Sequence, residues 1–355
     1  MDAEKAIDGH EFAQSAPASP AAAGLVVDDA HAAGRITLSD AAAGNVPDLA
    51  GLEAVLAALP RWGRSPITYC VTLRSTLPGT FAAGYGPVLS PEHAAAAREW
   101  FRNSYALTWA LDCFTKPFVS FIDGAVSGAG IGLSLYGTHR VGGRGYRLSV
   151  PGPTAGWFPD HGLAHVLSRL PDRLGVYLAL TGHAIGRADA FRLGLITQCI
   201  DAGRFDHIAG CLSEADPVDP LLDDLHEDAG AGELEARREI IARCFSAASV
   251  GDIAARLGAV TGAHAAWAQG VAAELRGAPA LALAVTLRLL REARDLDLRD
   301  TLVLDDRIAT RLLAGRRAAG GVSEAGEAAV ARCFDPLEDG DLPLLSRAEM
   351  QKAGP

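Results

Sequence analysis

The sequence predicts an α/β fold with parallel strands and a helical C-terminal region. Short continuous apolar runs of strand length, stretches of helical period between them, and glycine-rich turns directly after two of the runs carry this reading. Leu25-Val26-Val27 and Arg35-Ile36-Thr37-Leu38 are β-prone and closely spaced, which predicts an antiparallel hairpin. Leu49, Leu52, Val55, Leu56 and Leu59 then follow helical period behind Asp48, with Pro60 and Gly63 as stop signals. Ile67 to Leu73 is unbroken enough for a strand covered on both faces, and Lys116 to Ile122 reads as another strand. Helices are expected at 131–135, 174–180 and 188–193, and a further short strand at 196–200. Residues 1–23 read as a mobile tail, 24–205 as the core, 206–238 as an acidic Pro- and Gly-interrupted linker or surface loop, and 239–355 as the helical region.

The chain has 355 residues, suited to two domains or one large domain with an appendage. Lys and Arg total 32 against 43 Asp and Glu, a net charge of −11 that argues against nucleic-acid and anionic-membrane partners. No run approaches the ~20 apolar residues of a spanning helix, and the acidic start lacks the pattern of a secretory signal. The six cysteines lie far apart without a C-x-x-C pair, which favours neither a zinc site nor a disulfide framework and suits a reducing cytoplasm.

Phe81-Ala82-Ala83-Gly84-Tyr85-Gly86 and Asp123 to Gly132 are turns whose small residues let a ligand approach the backbone. Unpaired N–H groups at a helix start favour an oxygen gaining negative charge, so two such groups converging make an oxyanion hole. The rival reading of the second turn, a dinucleotide fingerprint from Gly128, fails at Leu133, where a glycine is needed. Asp160 and His161 are candidates for proton transfer, histidine serving as acid or base near neutrality, although Asp160 before a periodic stretch also suits a helix cap. His161 and His165 are four apart, but no third ligand accompanies them, so no metal is expected. Tyr85 and Asp123 are placed to send side chains into the same pocket, with turn packing as the plainer role.

These stretches together resemble the crotonase (enoyl-CoA hydratase/isomerase) superfamily, and within it the 3-hydroxyisobutyryl-CoA hydrolase branch. Phe81-Ala82-Ala83-Gly84 is similar to its F-C/A-A-G turn, and Lys116-Pro117 to Leu135 to its K-P-x-V…G-x-G-x-G-L-S segment. Trp157-Phe158-Pro159-Asp160 matches G-L-F-P-D, Leu170-Pro171 through Tyr177 to Gly182 matches the helix that follows, and Arg243-Cys244-Phe245-Ser246 resembles the branch's C-F-S segment. The resemblance spans about residues 25–318.

It implies a ββα-spiral core with a helical C-terminal region, binding an acyl thioester whose carbonyl is held by the N–H groups of Tyr85 and Ala129. Ala83, Gly84 and Gly128 line that site, Asp123 lies beside it, and Arg74 is the cation best placed for coenzyme A phosphates. Coenzyme A enters only as part of the substrate, no separate cofactor is implied, and a homo-oligomer is expected.

Two departures matter. Gly152 stands where the hydrolase branch carries its glutamate, and Gly132 where hydratases carry their second one. Neither can move a proton, which argues against alkene hydration. Asp160, at the branch's active-site aspartate, and His161 are the replacements. Near the C-terminus Glu327 falls where a basic residue is expected and Cys333 near a lysine position, which makes a carrier-protein thioester an alternative to acyl-CoA. Three outcomes stay open: thioester hydrolysis, an enolate-forming decarboxylase, lyase or isomerase, and a lapsed acyl-CoA-binding scaffold.

Overall fold

An antiparallel hairpin, β1 (Leu25–Ala30) and β2 (Ala33–Leu38), pairs Leu25 with Leu38 and buries Leu25, Ile36 and Leu38. These strands belong to a computed structural model that describes residues 24–89, 96–317 and 326–353. The tail expected over residues 1–23 lies outside the described residues. Helix α1 (Leu49–Arg64) starts where expected, Asp48 accepting the Gly51 N–H at 2.8 Å. Its end differs: Pro60 lies inside the helix, which runs on to Arg64. The extra turn docks Trp62, fully buried with its indole N–H on Asp29, and that burial outweighs the backbone bond lost at the proline.

From here the chain three times lays a strand in a large sheet, a short strand in a second sheet, and then a helix. The rounds are β3 (Cys70–Ser75), β4 (Thr80–Ala82) and α2 (Ala97–Cys113); β5 (Phe118–Ile122), β6 (Ala125–Val126) and α3 (Ala129–Ser134); and β7 (His139–Gly142), β8 (Arg147–Leu148) and α4 (Leu163–Leu167). Helix α5 (Leu174–Thr181), β9 (Ile185–Gly186), α6 (Arg187–Arg192) and β10 (Gln198–Cys199) complete the core. The large sheet runs β1-β2-β3-β5-β7-β10, parallel beyond the hairpin, and the small one β4-β6-β8-β9. This is the crotonase ββα-spiral that the motifs imply. It sets β4 beside β6, and so sets the two glycine turns side by side.

Residues 206–238, expected as a linker or surface loop, are irregular over 225–234 but carry packed helices before that stretch. They carry most of α7 (Phe205–Ser213) and all of α8 (Val218–Asp224), whose Ile208, Leu212, Val218 and Leu222 bury against Cys70, Val119, Phe121 and Val141 of the large sheet. The acidic residues that suggested a linker occupy the outward faces. The C-terminal helices are α9 (Arg238–Cys244), α10 (Val250–Gly258), α11 (Ala265–Gly277), α12 (Ala280–Glu292), α13 (Leu298–Arg317), α14 (Glu327–Arg332) and α15 (Arg347–Ala353). They share one apolar core with the spiral, and Arg102 of α2 clasps Asp306 of α13 at 2.9 Å. All six cysteines are free thiols. No single helix among the described residues is long and apolar enough to cross a membrane.

Because Leu212 seals the outer face of the sheet, Leu212→Ala should lower stability by about 2–5 kcal/mol in urea unfolding; a surface-loop position would move it by less than about 0.5 kcal/mol.

Candidate active site

The second-sheet ladder does not stop where β4 and β6 end. Ser127 N–H donates to Ala82 O at 3.1 Å, Gly84 N–H to Ser127 O at 3.2 Å, and Ala129 N–H to Gly84 O at 2.9 Å. The two turns are thereby laced together. Glycine is required at two points: a Cβ on Gly130 would stand 2.0 Å from Ala82 O, and on Gly128, at φ +55°, 2.4 Å from Gly84 O. At Gly84, φ +88°, no described residue other than its chain neighbours stands within 4 Å of where a Cβ would lie. Ala83 N–H is held by Gly44 O at 2.9 Å. The Ala129 amide, expected as an open donor, is engaged on Gly84 O in this structure, because the parallel pairing continues through the turns.

Asp160 is buried, and its carboxylate gathers donors from three segments. Tyr85 Oη donates to Oδ1 at 2.6 Å, Tyr105 Oη to Oδ2 at 3.1 Å and Trp157 Nε1 to Oδ2 at 3.2 Å. Tyr105 is itself buried, and burial with the nearby Asp160 charge pushes its phenol well above the ordinary value, so it keeps its proton and stays a donor. The cap reading of Asp160 does not hold: α4 begins at Leu163 behind Gly162, and no side chain caps it.

His161 is fully buried with a left-handed backbone, φ +56°. Tyr136 Oη donates to its carbonyl at 2.7 Å, and Asp305 Oδ2 accepts the next amide, Gly162 N–H, at 2.7 Å; these bonds hold a conformation costly for a side-chain residue. Burial, with Asp160 nearby, raises the Asp305 carboxyl well above the usual range, which favours its neutral form. The His161 ring takes the space over Gly132, where a Cβ would lie 2.6 Å from ring Cδ2. Its Nε2 is 2.7 Å from Ser104 Oγ, and its Nδ1 is 3.0 Å from Asp160 Oδ1, an electrostatic contact too poorly aligned for a hydrogen bond. Tyr85, Trp100 and Tyr105 ring the imidazole.

The structure thus brings together Tyr85, Asp160 and His161 and sets the Gly84 and Gly128 turns against each other. It takes Arg74 and Asp123 elsewhere. Arg74 pairs with Asp206 of α7 at 2.5 Å, and Asp123 accepts Gly145 N–H at 2.7 Å; both line a separate cavity of about 410 Å³. His165 bonds Leu296 O through Nδ1 at 3.1 Å, so the two histidines do not share a helix face. No group of three metal-binding side chains occurs among the described residues. Gly152 leaves little room, a Cβ there lying 3.0 Å from Phe158 O. Cys333 is buried in the C-terminal packing and gives Sγ to Ala329 O.

Sequence reasoning missed Ser104, Tyr105 and Asp305. Ser104 and Tyr105 sit on the apolar face of α2, where pattern reads only as core, and Asp305 reaches the site across 143 residues.

The model of the enoyl-CoA hydratase/isomerase family matches residues 33–325. The mitochondrial 3-hydroxyisobutyryl-CoA hydrolase of Xenopus tropicalis is 30% identical over 301 residues, 81% of this chain and 77% of that protein. Its counterpart in Gallus gallus is 28% identical, covering 91% of each chain. Among solved structures, a carnitinyl-CoA dehydratase from Mycobacterium thermoresistibile superposes with TM-score 0.82 at 27% identity, over 89% of this chain and 98% of that one. An enoyl-CoA hydratase from Rhodobacter sphaeroides gives 0.80 at 29%, over 90% and 100%. Spiral core, laced glycine turns and these matches agree: the chain belongs to the enoyl-CoA hydratase/isomerase (crotonase) family, in its 3-hydroxyisobutyryl-CoA hydrolase-like branch.

Proposed function

We propose that the protein hydrolyses the thioester of a 3-hydroxyacyl-CoA, with Asp160 and His161 handling the proton. The observation that carries this is the position of the His161 ring. It fills the space above Gly132, directly against a carboxylate that Tyr85 joins to the first turn. The relatives named for hydrolysis of such a thioester supply the substrate class.

The carbonyl enters where the turns meet. This reading requires the Gly84–Tyr85 peptide to turn, which withdraws Gly84 O from Ala129 N–H; glycine, already at φ +88°, is the residue type that changes backbone conformation at least cost. The amides of Ala129 and Tyr85 then face the thioester oxygen, and each such donor lowers the barrier by about 3–4 kcal/mol as charge develops. His161 supplies a base and an acid, and Asp160 stabilises the imidazolium formed in between. Arg74, committed to Asp206, is not assigned to the phosphates.

A second reading, binding without turnover, draws on the engaged Ala129 amide. Mass spectrometry of products from 3-hydroxyacyl-, enoyl- and malonyl-CoA separates the readings. Free CoA and an intact carboxylic acid from the 3-hydroxyacyl ester are expected; loss of CO₂ from the malonyl ester indicates a decarboxylase, and tight binding without products a lapsed enzyme.

Asp160→Asn should cut kcat by about 10²–10⁴-fold with little change in KM. Gly132→Glu should not install hydratase activity, because the new side chain meets the His161 ring; it should instead lower both thioester cleavage and the melting temperature. Gly84→Ala, strained at φ +88°, should slow turnover more than it weakens binding in calorimetry.

A further inference from the structure

Resting on the hydrolase reading, we propose that Ser104 is the nucleophile, acylated by the thioester and served by His161 and Asp160 as a relay. Three buried side chains stand in the order such chemistry needs. Ser104 Oγ lies 2.7 Å from His161 Nε2, and His161 Nδ1 lies 3.0 Å from Asp160 Oδ1. The carboxylate beside Nδ1 favours the tautomer protonated there, which leaves Nε2 to accept the Ser104 hydroxyl proton. The misalignment at Nδ1 is of the kind that tightens when substrate binds.

Neighbouring groups hold each member in place. Tyr85, Tyr105 and Trp157 fix the Asp160 carboxylate, and Tyr136 and Asp305 fix the backbone on either side of the His161–Gly162 peptide. Ser104 is set by α2, with Thr108 donating to its carbonyl at 3.1 Å. Tyr85 joins the relay to the carbonyl site, its main chain in the first turn and its hydroxyl on Asp160. Neither glutamate of the family is present, and no other hydroxyl contacts the imidazole nitrogens among the described residues.

The reaction balances without a further reactant. Ser104 Oγ forms a bond to the thioester carbon as its proton passes to His161 Nε2. The C–S bond then breaks, and the imidazolium protonates the departing thiolate to give CoA. Water attacks the resulting ester, its proton going to His161; the C–Oγ bond breaks, Ser104 recovers the proton, and a carboxylic acid leaves.

The test uses the full chain with 3-hydroxyisobutyryl-CoA, acid quenching at successive times, intact-mass and peptide-mass analysis, and steady-state rates for wild type, Ser104→Ala and Ser104→Cys. The expected result is one acyl group on the peptide containing Ser104, a burst of about one thiol per chain, and a fall in turnover of about 10³-fold or more in Ser104→Ala. Ser104→Cys should carry the acyl group as a hydroxylamine-labile thioester. Turnover in Ser104→Ala within ten-fold of wild type overturns the proposal. So does lost turnover with no acyl group on wild type or Ser104→Cys at any time, which makes Ser104 a positioning residue for His161. A wild type that neither turns over nor acylates removes the hydrolase reading itself, and acylation without continued turnover keeps the nucleophile while removing hydrolysis.

Discussion

A carboxyl group withdrawn from water needs donors to replace its hydration, and at Asp160 that requirement organises the centre of the molecule. Its donors arrive from the turn after β4, from α2 and from the loop before α4. Meeting on one side chain, they fix three separate segments relative to one another. The aromatic rings that carry these donors also exclude water, which strengthens the field that Asp160 exerts on His161. A second buried acid nearby, Asp305, does not compete for those donors. Favoured as neutral, it spends its oxygen on the Gly162 amide and so steadies the backbone beside His161.

This arrangement makes the helical C-terminal region part of the site. Asp305 and Asp306 are neighbours on α13 with different tasks: the first reaches the loop behind His161, and the second binds Arg102 on α2, two positions from Ser104. Helix α2 is therefore held from both ends of the constellation, by Tyr105 on Asp160 and by Arg102 on Asp306. A core of spiral alone would leave α2 without that second hold.

What the sequence revealed follows from the range of the forces involved. Phe118 to Ile122 are all buried in β5, so a local apolar run sufficed to find the strand, and the glycines at 128 and 130 announce a backbone approach that the structure contains. Pro60 misled because a stop signal is local while Trp62 docks against the distant hairpin. The acidic stretch misled because composition hides the buried stripe of Ile208 and Leu212. Asp160 was legible through the family motif, but its cap role was not borne out, since the helix begins two residues beyond His161. Ser104 left no signal: its partner lies 57 residues away, and a serine among Phe101, Tyr105 and Thr108 reads as filler. The engaged amide of Ala129 was equally hidden, since pairing between turns depends on the sheet that brings them together.

That engaged amide bears on how catalysis divides between ground and transition states. The bond from Ala129 N–H to Gly84 O is an ordinary neutral one, worth about 0.5–1.5 kcal/mol net. A thioester carbonyl offers the same amide a similar neutral bond, so displacing Gly84 O for the bound substrate yields little. An oxyanion offers a charge-assisted bond of about 1.5–3 kcal/mol, roughly twice the strength. The internal acceptor therefore subtracts most of what the ground state would gain and only part of what the transition state gains. Interactions that act in this differential way raise kcat rather than merely tightening binding. A closed pair of turns is then compatible with the proposed catalysis if the peptide after Gly84 turns, and a glycine at that position makes such a turn least costly.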